Sequence, residues 1–146
     1  SGGGSFYAME AAYTKPQVPM WCDPWKNLKQ QCGDTCRSSV QFFAKEGSAR
    51  TVGMFNEEEA KADGTLQAKI KSSELQFQRE VVEHGPVSIN FKAFDDLIAY
   101  KSGVYVPDTM GGSNPHASGH SCALIGWGTD TINGKEVPYW LIQNQR

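Results

Sequence analysis

Gly119-His120-Ser121-Cys122-Ala123-Leu124-Ile125-Gly126-Trp127-Gly128 is the stretch on which the fold turns. His120 to Trp127 is apolar nearly throughout, which predicts a strand buried on both faces. Beyond it, Asn133-Gly134 supplies two residues that tolerate positive φ, a strong hairpin signal. A second strand, Val137 to Asn144, comes next. The hairpin lays the two strands side by side, with His120 starting one and Asn144 ending the other.

Working outward, Val87 to Phe91 alternates and is rich in β-formers, so it reads as a third strand. Before it, Ser73 with Gln76 three residues on has the form of a capping box. A helix from there carries Leu75, Phe77, Val81 and Val82 on an apolar face and ends at Gly85-Pro86. Ala93 to Tyr100 suits a helical turn, Val104 to Val106 a short strand, and residues 107–118 a loop rich in Gly, Ser, Pro and Asn. Near the start, Phe6, Met9 and Tyr13 stand at helical spacing, so residues 5–13 read as a short amphipathic helix stopped by Pro16 and Pro19. Residues 14–39 form a cysteine-bearing loop region, and residues 40–71 show no clear period. Helices early and strands late give an α+β class with an antiparallel sheet or half-barrel.

The 146 residues, 39% of them hydrophobic, suffice for one domain with its own core. A net charge of −2 gives no reason to expect nucleic acid or an anionic membrane as partner. No apolar run approaches the roughly 20 residues that span a bilayer. The charge run Glu57 to Glu59 reads as a solvated surface turn. No signal peptide is present. Ser1-Gly2-Gly3-Gly4 and the final Arg146 both look like cuts through a larger fold.

Four cysteines are present: Cys22, Cys32, Cys36 and Cys122. Cys32-x3-Cys36 has acceptable spacing for zinc, but the next His or Cys is as far away as His84. The missing fourth ligand favours disulfides in an oxidising compartment over a metal. Three cysteines in the cluster then imply a partner outside the chain. Cys122, in its apolar run, reads as a buried free thiol.

Among the three histidines, His84 falls at a helix end, where an imidazole bonds the last carbonyls, and His116 lies in the polar loop. His120 starts a strand after a long loop, where a sheet presents a side chain to a cleft. The side-chain carbonyl of Asn144 suits it as an acceptor that fixes an imidazole's tautomer and plane. Structural readings stand beside both: a histidine at a strand start, and an asparagine bonded to its own turn. Cys122 is a poor nucleophile, because an apolar setting raises a thiol pKa and leaves it inert.

At this point the residues match a family. Gly119 to Gly128 resembles the histidine segment of papain-like cysteine proteases, and Pro138-Tyr139-Trp140-Leu141-Ile142-Gln143-Asn144 resembles their asparagine strand. Gly85-Pro86-Val87-Ser88 resembles the strand lining their S2 pocket, and Phe94 to Tyr105 a segment seen in cathepsins B and C. Ser1-Gly2-Gly3 resembles the residues just after the cysteine of a Cys-x-Gly-Gly motif. The resemblance implies a papain-like fold, with residues 1–36 as the tail of the helical left domain and residues 37–146 as most of the sheet-rich right domain.

It further implies a cathepsin B-like thiol endopeptidase, resident in lysosome or vacuole or secreted, that needs no cofactor or metal and takes peptides or proteins as substrates. His120 and Asn144 would be catalytic. Gly2, Gly3, Asn90 and Gly119 would bind substrate. The nucleophilic cysteine would lie upstream, on the part of the protease that partners this one. By the same resemblance Cys22 pairs with Cys36, and Cys32 with a cysteine outside the chain. Two departures stand out. The family's Asn-Ser-Trp is Asn144-Gln145-Arg146 here, which makes a catalytically inactive pseudoprotease, a binding or structural subunit, the alternative. In cathepsin B an occluding loop with paired histidines closes the primed end of the cleft. The corresponding Asp23 to Gln31 contains no histidine, so the expectation is an open cleft and internal cleavage.

Overall fold

The computed structural model describes residues 5–23, 40–107 and 117–144. The chain divides into two compact units, Ser1–Thr51 and Val52–Arg146. The boundary expected between residues 36 and 37 lies outside the described residues.

In the first unit, α1 (Ser5–Ala11) is the expected short helix, but it buries none of its residues. The chain then turns, and Gln17 and Phe42 form an isolated antiparallel bridge, each amide donating to the other's carbonyl at 2.8 and 2.9 Å. Ala44 N–H donates to the Ala12 carbonyl, and Ala49 N–H to the Tyr13 hydroxyl at 2.7 Å, so the return strand of chain is stitched to the helix exit.

The second unit opens with α2 (Glu57–Ala62), in the stretch whose sequence shows no period. Asn56 caps it, its side chain accepting from the amides of Glu58 and Glu59. The run Glu57 to Glu59 is therefore a helical first turn rather than a surface turn, and the positive end of the helix dipole favours its charges. Next comes α3 (Leu66–His84), which starts seven residues before the expected Ser73. Ser73 is a buried mid-helix residue, not a cap. Its hydroxyl donates to the Gly53 carbonyl at 2.5 Å, and Gly53 N–H donates to Gln76 Oε1 at 3.1 Å. The Ser-x-x-Gln pair thus clamps an incoming loop instead of a helix start. Gly53 has φ +68, and a Cβ there would lie 2.7 Å from Phe77 Cζ.

Ile70, Ser73, Phe77 and Val81 form the less exposed stripe of α3. Leu75 and Val82, expected on the apolar face, are exposed. They lie off a stripe that advances by three or four residues per step. At its C-terminus His84 Nδ1 lies 3.2 Å from Glu80 Oε2, one helical turn back.

The sheet is antiparallel with order β1-β2-β3: β1 (Val87–Phe94), β2 (Ala117–Ile132) and β3 (Lys135–Gln143). Helix α3 packs against β1 and β2. All three strands appear where the sequence places them, and each is longer than expected. The hairpin stands on Asn133 and Gly134, with φ of 51 and 75, the left-handed pair a tight primed turn requires. A 3-10 turn (Asp95–Ile98) comes after β1 as expected. Val104 to Val106 forms no strand, and residues 117 and 118 belong to β2 rather than to a loop.

Among the described residues the sheet is covered on one face, not two. Cys122 and Leu124 are buried while Ser121 and Ile125 are exposed. One apolar face with the other open is a normal state for an antiparallel sheet. A continuous apolar run does not distinguish it from burial on both sides.

Candidate active site

Period-two alternation sets the site. In the β1–β2 register, Val87 pairs with Leu124, Ile89 with Cys122 and Phe91 with His120. Each directly opposed pair shares a face, so these six side chains form a ladder on one side of the sheet. Exposure rises along it, from Leu124 at 1% through Cys122 at 8% to a half-buried His120. The core therefore grades into a site at the top of the ladder.

Asn144 reaches this face through an irregularity. From Ile132↔Lys135 to Gly126↔Leu141 the β2–β3 register is regular. Ile125 is then skipped, and pairing resumes at Leu124↔Ile142 and Ala123↔Gln143. Continuing the first register would pair Ala123 with Asn144 and turn Asn144 to the opposite face. The extra residue brings Asn144 level with Cys122 instead. A β-bulge re-aims a side chain in this way.

The result is a contact between His120 Nε2 and Asn144 Oδ1 at 2.8 Å. An amide oxygen only accepts, so Nε2 carries the proton in this bond. That leaves Nδ1 as the ring atom for exchanging a proton with a reactant. The Phe91 ring lies edge-on to the imidazole, with centroids 5.6 Å apart. The imidazole is therefore held by side chains from both neighbouring strands.

Cys122 Sγ also points at Asn144 Oδ1, at 3.3 Å. Burial pushes its thiol pKa up. A protonated, desolvated thiol is a weak nucleophile, which agrees with the reading of Cys122 as inert.

Asn90 stands on the other face of the sheet, where its Oδ1 accepts a 2.5 Å hydrogen bond from the Ser121 hydroxyl. Gly119, paired with Lys92, is exposed beside His120. Gly2, Gly3, Cys32 and Cys36 lie outside the described residues. Cys22 is disulfide-bonded. Two contributors are not singled out by the sequence: Phe91, whose partner depends on the β1–β2 register, and Cys122 as a neighbour of Asn144. The alternation of β1 is the available signal for Phe91, because it puts that residue on the apolar face.

Residues 11–145 match the family described as papain family cysteine protease. Cathepsin B of Dictyostelium discoideum is 42% identical over 137 residues, covering 91% of this chain and 36% of its own length. A cathepsin B-like cysteine proteinase 3 of Ostertagia ostertagi is 34% identical over 115 residues, covering 78% of this chain and 59% of its own. Cathepsin B-like cysteine proteinase 4 of Caenorhabditis elegans is 44% identical over 69 residues, 47% of this chain and 18% of its own. The chain thus spans only part of the length of these relatives.

Proposed function

The chain belongs to the papain family of cysteine proteases, and on that premise we propose that it supplies the histidine and asparagine of a thiol-dependent, cathepsin B-like peptidase. The observation that carries this reading is the 2.8 Å contact between His120 Nε2 and Asn144 Oδ1 at the more exposed end of that ladder. The nucleophile comes from outside residues 1–146. Cys122 is buried with a raised pKa, and Cys22 is tied in a disulfide.

In this reading His120, protonated at both nitrogens, stabilises the incoming thiolate of the nucleophile. The thiolate attacks the peptide carbonyl carbon, and the C–N bond breaks as Nδ1 gives its proton to the departing amine. Water then adds to the acyl-enzyme, with Nδ1 taking a proton from it, and the thiolate leaves. Asn144 keeps the ring plane fixed through both steps. Gly119 offers backbone to the substrate chain, with Gly2 and Gly3 in the same role, and Asn90 contributes to the S2 wall. The working place is a lysosome, vacuole or extracellular fluid, where the Cys22 disulfide persists.

The cleavage is internal rather than dipeptide by dipeptide. Asp23 to Gln31 holds no histidine to fix a substrate's terminal carboxylate.

The test uses the whole protein with a long peptide under reducing conditions, products followed by mass. We expect internal cuts, and a loss of at least about 1,000-fold in kcat for His120→Ala, as for other members of a catalytic unit. Successive loss of C-terminal dipeptides would overturn the endopeptidase part. No hydrolysis by the whole protein, with peptide still binding in the cleft, would make it an inactive homologue, the outcome that Gln145-Arg146 after Asn144 makes worth measuring.

A further inference from the structure

Two donors converge on one oxygen at the site. His120 Nε2 lies 2.8 Å from Asn144 Oδ1 and Cys122 Sγ lies 3.3 Å from the same atom. We propose that Cys122 is a positioning residue: its S–H donates to Asn144 Oδ1 and holds the amide with oxygen, not nitrogen, toward His120.

An amide oxygen has two lone pairs, so it accepts both donors at once. Rotated by half a turn, the amide would present its NH2 to an N–H and an S–H, three donor groups without an acceptor among them. Asn144 is exposed and stands just after the last residue of β3, so its side chain is open to competition from water. Cys122 is not exposed. It sits on the rung below His120, fixed by pairing with Ile89, and is the anchored member of the three. The desolvation that raises its pKa keeps the S–H proton in place. A thiolate at this position would accept from the amide NH2 and favour the wrong rotamer. The role thus requires a residue that is small, buried and a donor, and Cys122 is all three.

This inference rests on the His120–Asn144 pair as the working pair, but its first readout does not need activity. In the whole protein, the His120 Nε2–H proton is followed by NMR as a downfield resonance protected from exchange. It should persist in the parent and in Cys122→Ser, and broaden or vanish in Cys122→Ala and in Cys122→Val, which restores volume without a donor.

The second readout is kinetic. A weak donor of this kind corresponds to about a two- to fivefold fall in kcat for Cys122→Ala and Cys122→Val, with KM unchanged and Cys122→Ser within twofold of the parent. In an Asn144→Ala background the Cys122→Ala change should have no further effect on kcat. Equal losses for Ser and Val, an undiminished loss in the Asn144→Ala background, or an Nε2–H resonance indifferent to Cys122 would each overturn the proposal. A protected resonance with the expected Cys122 dependence, in a protein that hydrolyses nothing, would sustain it while refuting the proposed protease activity.

Discussion

Asn144 shares a face with His120 because the pairing of β2 with β3 skips Ile125. The 2.8 Å bond between the two side chains is therefore a product of backbone register before it is a product of side-chain chemistry. Deleting Ile125 would keep Leu124 opposite Ile142 and Ala123 opposite Gln143 and so leave Asn144 level with Cys122, whereas inserting one residue between Gln143 and Asn144 should move Asn144 one place on and turn it away from His120. In the whole protein, kcat should then fall by about 10- to 100-fold, as expected when a partner that orients a reacting group is lost. Ile125→Ala keeps the residue count and should cost far less. Turnover of a peptide substrate by the insertion variant and Ile125→Ala, compared with Asn144→Ala, checks this.

The Gly53 clamp gives a stability prediction with no part in catalysis. Gly53→Ala puts a methyl 2.7 Å from Phe77 Cζ at a φ of +68, so both crowding and backbone strain oppose it. A loss of about 1–3 kcal/mol in unfolding free energy is expected. Ser73→Ala removes the bond to the Gly53 carbonyl at a partly buried place, worth about 1–2 kcal/mol. Because the two share one contact, the double variant should lose less than the sum. Denaturant melts of the four proteins measure it.

Burial also gives Cys122 a pH signature. Its folded pKa is raised, so the folded chain holds this proton more tightly than the unfolded chain does. That contribution is fully present below the unfolded thiol pKa, near about 8.5, and is lost as pH climbs through the raised folded value. Cys122→Ala should flatten the alkaline fall in melting temperature. At neutral pH the native thiol should resist iodoacetamide and react only once the protein is unfolded, as read by mass.

Tyr105 behaves alike at higher pH. Partial burial, its hydrogen bond to Asp96 Oδ1 and the nearby carboxylate charge push its pKa up to about 12. With an unfolded phenol near about 10, the stabilisation is intact below that pH and is lost on the way to the folded value. Tyr105→Phe should remove the highest-pH part of the phenolate titration seen in the ultraviolet. It should also weaken the packing of the segment after β1.

Much of this is readable without coordinates. The Asn133-Gly134 hairpin, strands on both sides of it and an earlier third strand come from turn chemistry and alternation. His120 and Asn144 stand out by their places at strand ends. Sidedness is not readable. Counted outward from the hairpin turn, a regular ladder sets Asn144 opposite Ala123, on the wrong face, and no residue type announces the bulge that corrects it. The Ser73–Gln76 pair misleads for a related reason: the residues that satisfy a helix start also satisfy a passing loop, and local spacing does not tell the two apart. Burial on both faces of β2 fails because an apolar run reports composition, while cover depends on where α3 lies.

The sheet order β1-β2-β3 has a consequence for how the site moves. His120 belongs to the central strand and is paired there with Phe91 of β1, whereas Asn144 sits just past the last residue of an edge strand of the described sheet. The two halves of the pair therefore live on different clocks. Fraying at the end of β3 opens the bond without disturbing β2, since strand ends open at far lower free energy than the interior. Amide hydrogens near Gln143 should exchange with solvent well before those around Cys122. Warming or mild denaturant should release the asparagine first, leaving a histidine still in position and momentarily without its guide.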